Sequence, residues 1–255
     1  MASIELAHSG SYIVQPPKIF YLNCTCLLCR RPVALLWKKH SLPVTDSILG
    51  QVDHLVYAVP DMESSVDDLE RRLGVRATPG GQHQGRGTYN SLLALGPMSY
   101  LEIVAPDPRQ PKPRTARWFR VDDLQSPRLV SWAVKGFSLN TLIANAAQSG
   151  VQLGPLRSGS RVRPDGVVVS WQCTDPTTVV ADGLIPFFID WKTSPHPAET
   201  AARGASLIKL RAEHPACKQV RDQLLAIGID IPVDHGPNPA LVATLQTGRG
   251  LAEIR

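Results

Sequence analysis

The side chains best suited to chemistry lie in a few short stretches. His83 and Asn90 fall in a segment that also carries Gly80, Gly81, Gly85 and Gly87. An imidazole titrates near neutrality, so His83 is a candidate general base. Asn90 can fix a carbonyl or carboxylate, and the glycines allow a ligand close to the backbone, though they equally serve tight turns. Arg161 and Arg163 precede Pro164-Asp165-Gly166, a turn signature. An arginine there can hold an anionic substrate through a bidentate pair, or sit beside a hairpin tip facing solvent. Trp171 and Trp191 read as ligand wall or core, and Asp190, a carboxylate between Ile189 and Trp191, as a substrate contact or an arginine partner. Of the two arginines, Arg163 is taken as the substrate contact, with Asn90, Trp171 and Asp190. His196, His214 and His235 stand in proline-flanked turns and are read first as turn residues.

Other chemistries lack their signatures. There is no Gly-x-Ser-x-Gly elbow, no phosphate loop ending in Gly-Lys, and no dinucleotide fingerprint after a strand. Cys24, Cys26 and Cys29 cluster without a second pair, and His40 is too distant for ordinary zinc spacing, so free thiols are expected. The chain carries a net charge of +5, but its basic residues are scattered and the densest run, Arg109 to Arg120, is interrupted by prolines. That pattern argues against nucleic acid as a partner. With 43% hydrophobic and 19% charged residues over 255 positions, the chain can bury a core without disulfides or metal. No apolar run has the length of a membrane span.

Residues 1–49 show no sustained periodicity and hold only Glu5 and Asp46 as acids beside Lys18, Arg30, Arg31, Lys38 and Lys39. They are read as an extension, either unstructured or an organellar transit peptide; a cytoplasmic location is expected if they are not a targeting signal. From residue 51 a pattern emerges. Val52–Val59 reads as a strand, Asp61 as a helix cap, and Met62, Val66, Leu69 and Leu73 as one helical face that Gly74 ends. Strands are expected at Val75–Thr78, Ser91–Leu95 and Tyr100–Ala105. A similar succession starts at Leu129, with Ser138 as cap and strands at Val167–Cys173 and Ile185–Trp191. A third starts at Leu207, with a helix at Cys217–Ile227 and strands near Ala240–Gln246 and Gly250–Ile254. Starts at 52, 129 and 207 are 77 and 78 residues apart. The expectation is an α+β protein of repeated βαβββ modules: two, over 51–197, curl into an antiparallel half-barrel around a ligand cup, and a third covers 204–255. Because modules pair in twos, the odd one predicts a homodimer.

Several segments in this order carry a resemblance. Asp53–Asp61 (DHLVYAVPD) resembles the first strand of the vicinal-oxygen-chelate superfamily, which includes glyoxalases, extradiol dioxygenases and fosfomycin-resistance proteins. Gly80–Gly96, Ser99–Asp107, Arg161–Trp171, Pro186–Trp191 and His196-Pro197 resemble, more narrowly, its glyoxalase-like domain subfamily. The resemblance implies metal ligands on the first and last strand of each paired module, which places them at His54 and Glu102. The second module offers Leu129 and about Phe188, neither a ligand; the third offers about Ile208 and Glu253. If the first module pairs with the third, His54, Glu102 and Glu253 form a set suited to Zn, Mn, Ni or Fe; if it pairs with the second, two ligands remain. Three readings follow: a metal-dependent lyase or isomerase on a small oxygen-bearing molecule with His83 moving the proton, a metal-free binding or resistance protein of the same fold, and an interaction module that dimerises through its odd unit.

Overall fold

A computed structural model describes residues 48–255, so the calls on the leader, on Cys24, Cys26 and Cys29, and on His40 lie outside the described residues. A short helix, α1 (Ile48–Gln51), leads into β1 (Val52–Ala58), buried along its whole length. Helix α2 (Met62–Leu73) forms as its spacing predicts. Asp61 accepts from the Ser64 amide at 2.9 Å, Gly74 closes the helix at φ 77°, and Met62, Val66, Leu69 and Leu73 are buried. Strands β2 (Thr78–His83), β3 (Thr88–Gly96) and β4 (Ser99–Pro106) complete the first module. The second has β5 (Arg128–Lys135), α3 (Leu139–Gln148), β6 (Leu156–Val162), β7 (Val168–Thr174) and β8 (Phe187–Asp190).

Several elements differ from expectation: the strand expected at Val75–Thr78 begins only at Thr78, and a short strand at Val233–His235 follows the last helix. The first half of the glycine-rich stretch is strand, while Gly85 and Gly87 form the turn after it at φ 70° and 66°. Gly81 has φ 144°, and a Cβ there would stand 2.5 Å from the Val162 carbonyl oxygen, so Gly81 makes room for the neighbouring strand. Strand β6 escaped the sequence reading because LRSGSRV has little apolar alternation and is mostly exposed or half-buried. Ser138 precedes α3 but makes no side-chain cap, since its backbone is left-handed at φ 52°.

The eight strands close into a barrel in the order β1-β4-β3-β2-β6-β7-β8-β5. In each module the first strand runs parallel to the last, β1 with β4 and β5 with β8. The first module therefore pairs with the second. One seam is the antiparallel β1–β5 pair; the other is thinner, with Gln82 of β2 opposite Val162 of β6. Alternation sorts the strands into two faces. Leu55 and Tyr57 of β1 and Leu101 and Ile103 of β4 join the outer core under the helices, whereas Val56, Ala58, Val104, Ala133, Trp171, Phe187 and Ile189 line the inside.

The remaining chain forms β9 (Ala205–His214), α4 (Cys217–Ala226), β10 (Val233–His235), β11 (Ala240–Thr247) and β12 (Gly250–Ile254). Its element succession repeats, but its strand order is β10-β9-β11-β12. The strand after the helix, not the last strand, lies parallel to β9. Its apolar residues, among them Leu210, Leu224, Leu245 and Ile254, belong to the same continuous core as α2 and the outer face of the barrel. The odd unit thus covers its apolar face within the chain, which removes the argument that it needs a second copy.

Candidate functional site

The cup holds a cluster of polar side chains, all at least nine-tenths buried: Asp53, His54, His83, Asn90, Glu102 and Arg161. Successive residues of a regular strand point to opposite faces, so Asp53 and His54 should not meet. A β-bulge between Val52 and His54 adds one residue to β1 and re-aims Asp53. Its Oδ1 then lies 2.7 Å from His54 Nδ1. Trp191 Nε1 donates to both oxygens of Asp53, at 3.2 and 3.1 Å. His196 Nε2 lies 3.2 Å from Oδ2. The tautomer of His196 follows from its other nitrogen, which accepts from the Ala198 amide at 3.2 Å and leaves Nε2–H to donate. Burial pushes the Asp53 carboxyl up, but hydrogen bonds from His196 and His54, and their charges, outweigh it and hold the pKa at about 2. An ionised Asp53 draws the His54 proton to Nδ1 and leaves the Nε2 lone pair facing the cup.

That lone pair looks toward Glu102, whose Oε2 is 3.7 Å away, too far for a hydrogen bond. Glu102 reaches the interior because it shares a face of β4 with Tyr100 and Val104. Its Oε1 accepts from Asn90 Nδ2 at 2.6 Å. The second proton of that amide points to His83 Nε2 at 3.2 Å, and His83 Nδ1 lies 2.9 Å from Thr88 Oγ1. His83 therefore sits in the cluster as a neutral acceptor. Burial pushes its pKa down from 6.5 to about 4, only partly opposed by the charge of Glu102. The base expected at His83 is weak at neutral pH and has its Nε2 occupied; a sequence pattern cannot reveal either property.

Aromatic rings close the site. Tyr100 stacks on His54 at 4.7 Å between centroids, and Phe187 meets it edge-on at 5.4 Å. Trp118 packs 5.2 Å from His83, and Phe119 lies 6.3 Å from Phe187. Both belong to a 3₁₀ segment, Trp118–Asp123, in which Phe119 and Arg120 take left-handed backbone at φ 57° and 49°. A cavity of about 1130 Å³ is lined by Trp118, Phe119, Ser131 and Phe187, but not by His54 or Glu102. The polar cluster itself lies one aromatic ring deeper than this cavity, behind Phe187 and Trp118.

The other expected site residues divide. Trp171 lines the cup and packs on Trp191 at 5.3 Å. Arg163 lies beyond the end of β6 and clamps Asp165 at 2.5 Å across the turn; Arg161, two residues earlier, enters the cup instead. Asp190 shares parity with Phe188 of the outer core and pairs with Lys192 at 2.8 Å, so it faces away from the cup. Glu253 is on β12 in the other sheet, 2.9 Å from Arg255, and the barrel leaves it apart from His54 and Glu102. Asp53, Tyr100 and His196 join the site without a role expected from sequence, and Arg161 takes the place expected of Arg163. The adjacent Asp53-His54 pair is a signal for Asp53, and it counts only because of the bulge.

The registers also correct the metal positions of the second module. Helix caps Asp61 and Ser138 set the repeat at 77 residues, which matches His54 with Ser131. Val56 stands opposite Glu102, and its counterpart Ala133 stands opposite Phe187. The symmetric positions thus hold a hydroxyl and a phenyl ring, not Leu129 and Phe188. Among the described residues no group of three or more His, Cys, Asp or Glu is placed to hold a metal ion. His54 and Glu102 do not make a complete donor set, and the ring of Phe187 occupies the matching place.

A family model described as a glyoxalase-like domain matches residues 52–228. No curated protein matches the chain. Among solved structures, a hypothetical protein from Staphylococcus aureus aligns with a TM-score of 0.54 at 15% identity, covering 80% of this chain and 85% of that one. Methylmalonyl-CoA epimerase from Mycobacterium tuberculosis aligns at 0.39 and 17% identity, over 61% and 95% of the two chains. A hypothetical protein from Bacillus halodurans aligns at 0.39 and 15%, over 56% and 96%. At such identities only the first likeness speaks, and it speaks for the fold.

Proposed function

The chain belongs to the glyoxalase-like domain family of the vicinal-oxygen-chelate superfamily, and from that premise we propose that its cup binds a small oxygen-bearing molecule and moves a proton on it without a metal, as an isomerase or lyase does. The observation that carries the reading is the position of His54, bonded to Asp53 at 2.7 Å on one nitrogen and 3.7 Å from Glu102 on the other. A proton on a carbon beside a carbonyl passes to His54 Nε2, and the C–H electron pair moves onto the carbonyl oxygen as an enolate. The imidazolium that forms stands between two carboxylates, which favour its charge. On a substrate whose α-carbon bears a hydroxyl, return of the proton to the former carbonyl carbon, with the hydroxyl proton passing to the enolate oxygen, isomerises it; loss of a leaving group from the β-carbon, as the carbonyl re-forms, makes the reaction a lyase. No electrons are gained or lost overall. Tyr100, Phe187 and Trp118 keep water from the intermediate.

The test is solvent-deuterium exchange at the α-carbon of a panel of 2-oxoaldehydes, hydroxyketones and oxo- and hydroxy-acids. We expect exchange into at least one class, its loss in His54→Ala, a fall of at least about a hundredfold in Glu102→Gln, and no change after chelation. Stoichiometric metal whose removal abolishes exchange would restore the metal-dependent reading. The closed ring of aromatics favours one alternative, a metal-free binding or resistance protein; tight binding with no exchange in any class would select it.

A further inference from the structure

The cup contains a cation that no carboxylate among the described residues neutralises by contact. Arg161 is 4% exposed, yet among the described residues its hydrogen bond goes to the Gly80 carbonyl, and no carboxylate lies within ion-pair distance of it. Its neighbour Arg163, in contrast, has Asp165. Burying an unpaired guanidinium costs several kcal/mol, and a fold meets that cost where the charge has a use. Arg161 enters across the thin β2–β6 seam, on the same side of the cup as Asn90, whose Oδ1 is buried without a hydrogen-bond partner. That oxygen would touch a side chain at Gly80, the residue to which Arg161 donates. A planar cation with spare N–H groups and a spare amide oxygen therefore face the same corner. A carboxylate fits the first through paired hydrogen bonds, and a hydroxyl on the adjacent carbon can donate to the second.

We propose that Arg161 binds the carboxylate of the ligand, so that the molecule held in the cup is a small hydroxy- or oxo-acid. The inference rests on the proton-transfer reading only for what then happens beside His54; the binding claim stands without it. It separates hydroxy- and oxo-acids from the neutral aldehydes and ketones that the cup would otherwise accept.

The test is binding of 2-hydroxy- and 2-oxo-acids of two to nine carbons, each beside its primary amide, followed by the fluorescence of the tryptophans around the cup. In the intact protein at least one acid binds about tenfold to a hundredfold more tightly than its amide. Arg161→Gln keeps a donor for Gly80 but no charge, and brings acid and amide to equal, weak affinity. Arg161→Lys keeps part of the preference, and Arg163→Ala keeps all of it. Melting curves of each variant separate loss of a seam contact from loss of a ligand contact, because a purely structural arginine weakens acid and amide alike. Equal binding of acid and amide by the intact protein, an acid preference that survives Arg161→Gln, or no binding of any acid at about 10 mM, roughly ten-thousandfold above a micromolar affinity, would overturn the proposal. Acid binding without deuterium exchange would leave it standing and remove the proton-transfer reading instead.

Discussion

Two buried acid–base groups in the cup are set in opposite directions by what surrounds them. Asp53 gathers donors from His54, Trp191 and His196 and keeps a pKa near 2. His83 is buried against an amide, a hydroxyl and the tilted ring of Trp118, and burial takes its pKa from 6.5 to about 4 although Glu102, 3.5 Å from its Nε2, opposes the fall. The consequences for acid stability differ. Unfolded chain protonates its His83 below pH 6.5 while the native chain does not until about pH 4. Full stability from this group is therefore present above pH 6.5 and is lost as pH falls to 4, by about 3 kcal/mol. Denaturant titrations of His83→Gln should show a shallower decline over that window; an unchanged decline would mean that the imidazole is charged in the native protein. Asp53 contributes stability above its unfolded value of 3.8, and that contribution is lost only as pH falls through about 2. Asp53→Asn tests its role at His54. The amide can present its NH₂ to Nδ1 and drive the proton to Nε2, so exchange should fall by two orders of magnitude or more while melting shifts far less.

Strands place these groups through irregularities, not through regular pleating. The bulge at Asp53 brings two successive residues to one site, and the absent side chains at Gly80 and Gly81 let β2 approach Asn90 and β6. At Gly81 a methyl group would meet the Val162 carbonyl at 2.5 Å in a backbone conformation, φ 144°, that side chains avoid. Gly81→Ala is expected to destabilise the protein by about 2 kcal/mol or more and to raise amide exchange along β6 before other strands. Wild-type stability in that variant would mean that the seam is looser than its register. Gly159 plays a related part on β6, where the indole of Trp171 fills the place of its Cβ at 2.6 Å. The cup wall and the strand beside it are thus fitted to each other.

At the scale of the molecule, the third unit is a brace and not a wall. Its sheet does not join the barrel, yet Ala202 pairs with Leu93 just before β9, and Arg72 of α2 donates to the Glu253 carbonyl at 2.9 Å. Leu210, Leu224, Leu245 and Ile254 continue the core that Val66, Leu69 and Leu73 begin. Deletion of residues 204–255 should therefore expose the outer face of the first module and leave a chain that binds hydrophobic dye and unfolds without a cooperative transition. A truncated chain that melts cooperatively would make 51–197 an independent domain. No helix among the described residues is long and apolar enough to cross a membrane.

What the order of residues determined was local and periodic. Asp61, Gly74 and a face of Met62, Val66, Leu69 and Leu73 specify α2 within one span of chain, and the 77-residue repeat of that pattern announces two like modules. His54 and Glu102 are legible because each sits at a recognisable place in its own strand. Tertiary structure decided which module pairs with which, and hence that Ser131 and Phe187, not Glu253, share the cup with them. It also decided which of Arg161 and Arg163 turns inward and whether His83 can take a proton. Those outcomes depend on strand order, on a single bulge and on burial. Each of these is a relation between segments distant in sequence, fixed only when the barrel closes, so no local pattern can encode it in readable form.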